Sequence, residues 1–271
     1  MKTRDKTLLD VVQTRIAELV IAREEARRSH LVVALSGAHA YGFPSPDSDL
    51  DLKAIHIAPT ESLLGFGEIS SAPDRLEIIE GVEIDYTSNE IGLVLRGLIT
   101  GNGNYAERIV GAPILFQAPE LKDLVPLAQR SISKRIYRHY KGFAHSQLEE
   151  VKSAKTVAVK SVLYVLRTAL SGIHALKTGE IEPDLSALAV DLGFAEASEL
   201  IERKRAGERS PLEASERERW TASLLRAMAA LEEAFQQSAL PETAPNAAEL
   251  EAWLIELRRN RLVSRRSVGS T

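Results

Sequence analysis

Asp49 and Asp51 stand one residue apart, between the glycine-bearing stretch Leu35-Ser36-Gly37-Ala38-His39-Ala40-Tyr41-Gly42 and the apolar run Leu52 to Ile57. In an extended strand, residues i and i+2 share a face, so these two carboxylates project into one space and repel unless a cation lies between them. Mg²⁺ suits that position, because it takes one or two carboxylates and completes its octahedron with water and phosphate oxygens. Gly37 and Gly42 add the phosphate side, since glycine reaches backbone angles closed to other residues and lets main-chain N–H groups approach an anion closely. A third acidic group comes in Gly81-Val82-Glu83-Ile84-Asp85-Tyr86, after the apolar run Leu76 to Ile79. Three carboxylates on adjacent strands, Asp49, Asp51 and Asp85, can hold two metal ions. A polar turn leading into a strand also reads Asp-x-Asp; the ordered series of apolar strand, glycine turn, paired aspartates and second strand favours the site.

The elements that must position these groups follow from periodicity. Residues 6–28 place Leu8, Leu9, Val12, Ile16, Leu19 and Val20 at helical spacing and end in Arg23, Arg27 and Arg28, which suit a helix C-terminus. Strands are predicted at 31–36, 50–57, 75–80 and 82–87, and helix from residue 88 to the end, broken near Pro113, Pro183, Pro211 and Pro241 to Pro245. The expected class is α+β: an N-terminal mixed sheet with flanking helices over 1–115, an all-helical domain over 116–258 that closes a cleft, and a basic tail, 259–271, expected to be flexible.

These residues resemble the DNA polymerase beta-like nucleotidyltransferase superfamily, whose signature is Gly-Ser, a spacer, Asp-x-Asp and a distant Asp. The likeness is closest to a bacterial branch of small stand-alone enzymes, some linked to RNA-repair operons. That branch carries Ser-Gly-Ser-His-x-Tyr-Gly followed by Pro-x-Ser-Asp-x-Asp, against Ser36-Gly37-Ala38-His39-Ala40-Tyr41-Gly42 and Pro46-Asp47-Ser48-Asp49-Leu50-Asp51 here. It continues through Glu83-Ile84-Asp85-Tyr86, the helical Glu90 to Leu98 stretch and Gly101-Asn102-Gly103-Asn104-Tyr105-Ala106-Glu107. The resemblance implies metal-dependent transfer of a nucleoside monophosphate from an NTP, with ATP the default donor, to a hydroxyl acceptor such as RNA or tRNA. It implies Mg²⁺ or Mn²⁺ on Asp49, Asp51 and Asp85, and nucleotide contacts from Ser36, Gly37, Ala38, His39 and Ser48. Ala38 departs from the pattern, because the branch has serine there. Losing one hydrogen bond to a charged phosphate costs about 1.5–3 kcal/mol. That change favours the alternative reading, a catalytically weak nucleotide- or RNA-binding sensor or a toxin–antitoxin component on the same fold.

Charge adds a second clue. Between Lys134 and Lys177 there are nine Lys or Arg and two acidic residues, so this segment is +7 while the whole chain is −4. Such asymmetry suggests a surface facing an anion. Residues 153–178 read as one central, mostly apolar helix with a narrow polar stripe of Ser153, Thr156, Lys160, Tyr164, Arg167, Ser171, His174 and Thr178. Lys160, Tyr164 and Arg167 are expected to face the nucleotide across a wet cleft, with Lys134, Arg135, Arg138 and Lys141 extending the basic surface.

Composition bounds the rest. The 271 residues are 44% hydrophobic, ample for one or two packed domains, and the chain contains no cysteine, so disulfides and thiolate metal sites are excluded. No run of eighteen uncharged apolar residues occurs, and a cytoplasmic protein without membrane partners is expected. A hydrolase built on Asp-x-Asp is a poorer reading, because His39 and His56 alone make no histidine cluster.

Overall fold

Leu31 to Leu35 are buried almost completely, as a strand covered on both faces must be, and they form the second position of a five-stranded mixed sheet. The computed structural model describes residues 8–64, 75–207 and 211–268, with side chains through 262. In chain order the first part comprises α1 (Val11–Glu25), β1 (Ser29–Leu35), α2 (Gly37–Ala40), β2 (Leu50–Ile57), α3 (Thr60–Leu64), β3 (Arg75–Ile79), β4 (Val82–Glu90), α4 (Ile91–Ile99), α5 (Gly103–Ala106) and β5 (Ile114–Gln117). The sheet order is β3-β4-β2-β1-β5; only the β2–β4 pair is parallel.

Local chemistry sets the boundaries. Helix α1 starts at Val11 because the Asp10 side chain accepts from the Gln13 N–H at 2.7 Å and the Gln13 side chain reciprocates, a capping box. The part of the expected helix before residue 8 lies outside the described residues. The β3–β4 hairpin turns through Glu80 and Gly81 at φ 52° and 83°, the left-handed pair a two-residue turn requires.

Four of the five strands follow the alternation and apolar runs of the sequence; β5 was not expected. It holds only four residues and pairs with β1 through Phe116 and Gln117, so residue 115, where the sheet part was expected to end, lies inside a strand. A π-helical turn, Glu107–Gly111, leads into it.

The remaining helices are α6 (Leu121–Arg130), α7 (Ile136–Ser153), α8 (Val159–Thr178), α9 (Leu185–Asp191), α10 (Ala197–Arg205), α11 (Arg217–Gln237) and α12 (Ala247–Val268). Helix α8 is buried along most of its length and packs between α7 and α11, closest at Gly172, where a Cβ would come within 2.7 Å of Tyr140. The single helix expected over 153–178 is interrupted: α7 ends at Ser153, and the chain is extended at Ala154 and Ala158 before α8 begins, so Ser153 and Thr156 are not on the stripe. Helix α12 runs to Val268, through most of the segment expected as a flexible tail, and returns to the sheet part, where Arg258 pairs with Glu90 at 3.1 Å and Arg261 with Glu120 at 2.9 Å. The Arg265 and Arg266 side chains lie outside the described residues. Among the described residues no helix is long and apolar enough to cross a membrane.

The sheet part and the helices meet through buried charge. Arg167 of α8, only 7% exposed, donates to the Glu107 carboxylate at 2.8 Å, and Tyr140 of α7 donates to the same oxygen at 3.2 Å. The guanidinium also lies 3.7 Å from the Tyr41 ring centroid, a cation–π contact with the glycine turn. Removing one partner of such a pair strands the other charge without solvent. Arg167→Ala should therefore lower the unfolding free energy by about 3–5 kcal/mol, read from urea midpoints, with part recovered by adding Glu107→Gln. A loss below about 1 kcal/mol would show that the pair holds nothing together.

Candidate active site

Asp51 of β2 and Asp85 of β4 are register partners in the parallel ladder, so both carboxylates lie on one sheet face, and Lys53 and Thr87 form the next pair on that face. The Lys53 ammonium stands 2.7 Å from Asp85 Oδ2, 3.8 Å from Asp51 Oδ1 and 3.4 Å from Thr87 Oγ1. Two rungs from the carboxylates, Asn89 accepts a hydrogen bond from Arg108 of the π-helical turn. Asp49 lies just before β2 rather than within it, yet its charge is felt by Asp51.

Above Asp51 sits the glycine turn. Gly37 has φ 58°, and a Cβ there would fall 1.8 Å from Asp51 Oδ2, so only glycine lets the carboxylate this close to the turn. Ser36 N–H donates to the Asp51 carbonyl at 3.0 Å, and the Ser36 and Tyr41 hydroxyls are 3.2 Å apart. Ala38 is buried in the apolar core, where its methyl packs. His39 is 3% exposed; burial pushes its imidazole below the ordinary value, opposed by a hydrogen bond with the Asp49 backbone. His39 therefore braces the aspartate loop from inside.

The second glycine of the motif is spaced for a different neighbour. Gly42 has φ 84°, and a Cβ would fall 2.0 Å from Asp184 Oδ1, the N-cap oxygen of α9. From the same region the Leu185 N–H donates to the Tyr41 carbonyl at 3.0 Å and Arg205 donates to the Gly42 carbonyl at 2.6 Å. Lys204, fully buried, donates to Ser45 Oγ at 2.8 Å and Ser48 Oγ at 3.2 Å. The Ser48 hydroxyl also accepts from the Ser45 N–H at 2.9 Å, so it is engaged in holding the loop ahead of Asp49.

The stripe residues separate. Lys160 is half-buried, its charge acts on Asp51, and its ammonium lies 5.9 Å from the Tyr164 ring centroid. Tyr164 packs edge-on against Tyr41 at 5.7 Å and Phe43 at 5.8 Å. Arg167 and Ser171 are internal: Arg167 is consumed by Glu107, and Ser171 donates to the Glu182 carbonyl at 2.8 Å. The stripe is thus not exposed along its whole length: Arg167 and Ser171 are buried, while Lys160 and Tyr164 are half-buried. Part of the basic segment is likewise paired, with Lys134 on Glu242 at 2.7 Å, Lys141 on Glu232 at 2.9 Å and Lys152 on Glu149 at 2.9 Å.

Among the described residues, no group of three or more Asp, Glu, His or Cys side chains stands at metal-ligating spacing. The expected trio is instead two facing carboxylates bridged by an ammonium, with Asp49 beside them. The donor chemistry still suits a hard divalent cation, because carboxylate oxygens face one space with a net negative charge. A cavity of about 800 Å³ lies at the far end of β2, lined in part by Arg27, Arg28, His56, Thr60 and Arg261, away from the Asp51–Asp85 pair.

Sequence reasoning missed Lys53, Thr87, Lys204 and Arg205. Lys53 was within reach, since alternation puts residue 53 on the face of residue 51. Nothing local to residues 197–205 marks Lys204 as a support of the loop.

The fold and site define a nucleotidyltransferase-type protein, and the sequence profile of the RNA repair pathway DNA polymerase beta family (RlaP) matches residues 11–256. The chain belongs to that family. An uncharacterized protein of Methanocaldococcus jannaschii is 31% identical over 159 residues, 58% of this chain and 64% of that protein, so the match spans just under two thirds of the relative. The uncharacterized protein YcgL of Bacillus subtilis is 30% identical over 189 residues, 66% of this chain and 71% of that protein. Among solved structures, a nucleotidyltransferase-like protein from Exiguobacterium sibiricum aligns with 91% of this chain and 80% of its own at 10% identity and a TM-score of 0.34. The spectinomycin adenyltransferase of Enterococcus faecialis, solved with ATP and spectinomycin, aligns with 83% of this chain and 100% of its own at 12% identity and a TM-score of 0.48.

Burial raises the Asp51 carboxyl from 3.8 to about 6; Lys53 and Lys160 oppose the rise, while Asp85 and Asp49 add to it. The folded carboxyl holds its proton more tightly than the unfolded one, so without metal its contribution to stability falls as pH rises from about 4 through about 6. Metal-free Asp51→Asn should gain on the wild type across that window, by up to about 3 kcal/mol, in parallel urea titrations. Stability curves that stay parallel from pH 4 to 7 would contradict the strain at Asp51.

Proposed function

We propose that this protein transfers a nucleoside monophosphate from an NTP, with ATP the default donor, to a hydroxyl acceptor, RNA or tRNA ends being the first candidates. The observation that carries the reading is the register pairing of Asp51 with Asp85 beneath a glycine turn that admits no side chain. Membership in the RNA repair pathway DNA polymerase beta family supports the reaction class. A divalent cation, Mg²⁺ or Mn²⁺, held by Asp49 and Asp51 with Asp85 adjacent, would supply charge neutralisation of the triphosphate.

The chain's own residues do the remaining work. Main-chain N–H groups of the turn from Gly37 through His39 face the phosphates, and Gly37 allows that approach. Lys160 neutralises phosphate charge from the helical side, while Tyr164 and Arg167 act through Tyr41 by fixing the turn. The acceptor oxygen forms a bond to the α-phosphorus as the bond to the β-phosphate oxygen breaks; pyrophosphate leaves, and the hydroxyl proton passes to the Asp85 carboxylate. Positioning and fixed charge supply most of the acceleration. Residues 116–258 act as a helical domain closing this cleft over the sheet part, and the setting is cytoplasmic, without a membrane partner.

Ala38 favours a second reading, a nucleotide- or RNA-binding sensor or toxin–antitoxin component with weak catalysis. One experiment separates the two. Purified protein is incubated with each α-³²P NTP, Mg²⁺ or Mn²⁺ and total cellular RNA, beside Asp49→Asn and Asp51→Asn. Label on RNA or on the protein, reduced at least a hundredfold in each variant, is expected. Equal labelling in the variants would refute the site, whereas no label together with metal-dependent nucleotide binding by calorimetry would favour the sensor.

A further inference from the structure

Lys53 is a cation placed by the fold between two of the site's carboxylates. Strand alternation puts it on the Asp51 face, and the parallel pairing of β2 with β4 sets its rung opposite Thr87, next to the Asp51–Asp85 rung. Its ammonium lies 2.7 Å from Asp85 Oδ2 and 3.8 Å from Asp51 Oδ1, with Thr87 Oγ1 at 3.4 Å. The side chain is only 15% exposed, so it is enclosed within the site rather than waving in solvent. Thr87 in turn donates to Asp85 Oδ1 at 3.4 Å, fixing the carboxylate whose other oxygen meets the ammonium.

We propose that Lys53 is a resident cation that takes the place between Asp51 and Asp85, so that this protein carries one divalent ion, at Asp49 and Asp51, instead of two. Charge balance agrees. Three carboxylates and the Lys53 ammonium leave two negative charges, reduced further by Lys160, whose charge also acts on Asp51, so one divalent ion suffices; a second would sit against the Lys53 ammonium and be repelled by it. Lysine suits the role as a compact point charge with three donors on a flexible stem. Lys53 then positions Asp85 toward the acceptor hydroxyl and holds the two strands' carboxylates together before nucleotide arrives.

The inference deepens the nucleotidyl-transfer reading and rests on it, but its test does not require turnover. Free Mn²⁺ is measured by electron paramagnetic resonance during MnCl₂ titration, without nucleotide, for the wild type, Lys53→Met, Lys53→Arg, and Lys53→Met combined with Asp85→Asn. The expected result is one bound Mn²⁺ per chain for the wild type and Lys53→Arg, and two for Lys53→Met. The second ion of Lys53→Met should bind at least tenfold more tightly than any second ion of the wild type and disappear when Asp85→Asn is added. Two ions on the wild type, bound with comparable affinity, would overturn the proposal, and this count needs no variant to fold. A single ion on a folded Lys53→Met would overturn it as well. Wild type that binds no Mn²⁺ at all would remove the metal reading of the site itself, and the inference with it.

Discussion

Mutual repulsion among carboxylates is the constraint on which this site is built. Asp51 and Asp85 face each other across a parallel strand pair, Asp49 adds its charge from the preceding loop, and Asp51 is largely desolvated. A fold stabilised by only 5–15 kcal/mol can keep such a group only by compensating it locally. Lys53 and Lys160 provide the compensation from opposite sides, one from the sheet and one from α8. Burial is the main cause of the raised proton affinity of Asp51, and Asp85 and Asp49 add to it.

That arrangement requires a rigid frame, which comes from the helices. The glycine turn makes no long secondary structure of its own, so its geometry is borrowed. Leu185 and Arg205 hold its carbonyls, Lys204 holds the serines ahead of Asp49, and Tyr164 and Arg167 pack on Tyr41. Arg167 is also the charge that joins the π-helical turn to the bundle, through Glu107. π-helical turns are costly and recur at functional sites; here the turn delivers Glu107 to Arg167 and Arg108 to the sheet face. Function and stability therefore share residues.

The contrast between sequence and structure follows the range of the interactions. Alternation and apolar runs exposed β1 through β4, and residue spacing exposed Asp49, Asp51 and the glycine turn, because each is a local pattern. Asp85 was singled out because it follows the apolar run Leu76 to Ile79, though its register against Asp51 depends on how far the β2-to-β4 crossover carries the chain. Helical spacing grouped Lys160, Tyr164 and Arg167 on α8, yet it could not reveal that Glu107, sixty residues earlier, consumes the arginine. The same blindness made a run of lysines read as a free basic surface, when Glu232 and Glu242 from distant segments meet two of them. Strand β5 escaped because four residues at a sheet edge carry too little pattern to oppose the helical reading around them.

The most direct test is a crystal structure of the protein with Mn²⁺ and a non-hydrolysable NTP analogue, using the manganese anomalous signal to locate the ion. The account predicts one anomalous peak against Asp49 and Asp51, with the triphosphate along the turn from Ser36 to Gly42 and Lys53 still on Asp85. A nucleotide seated among Arg27, Arg28 and Arg261 in the cavity at the far end of β2, with no ion at the aspartates, would contradict it.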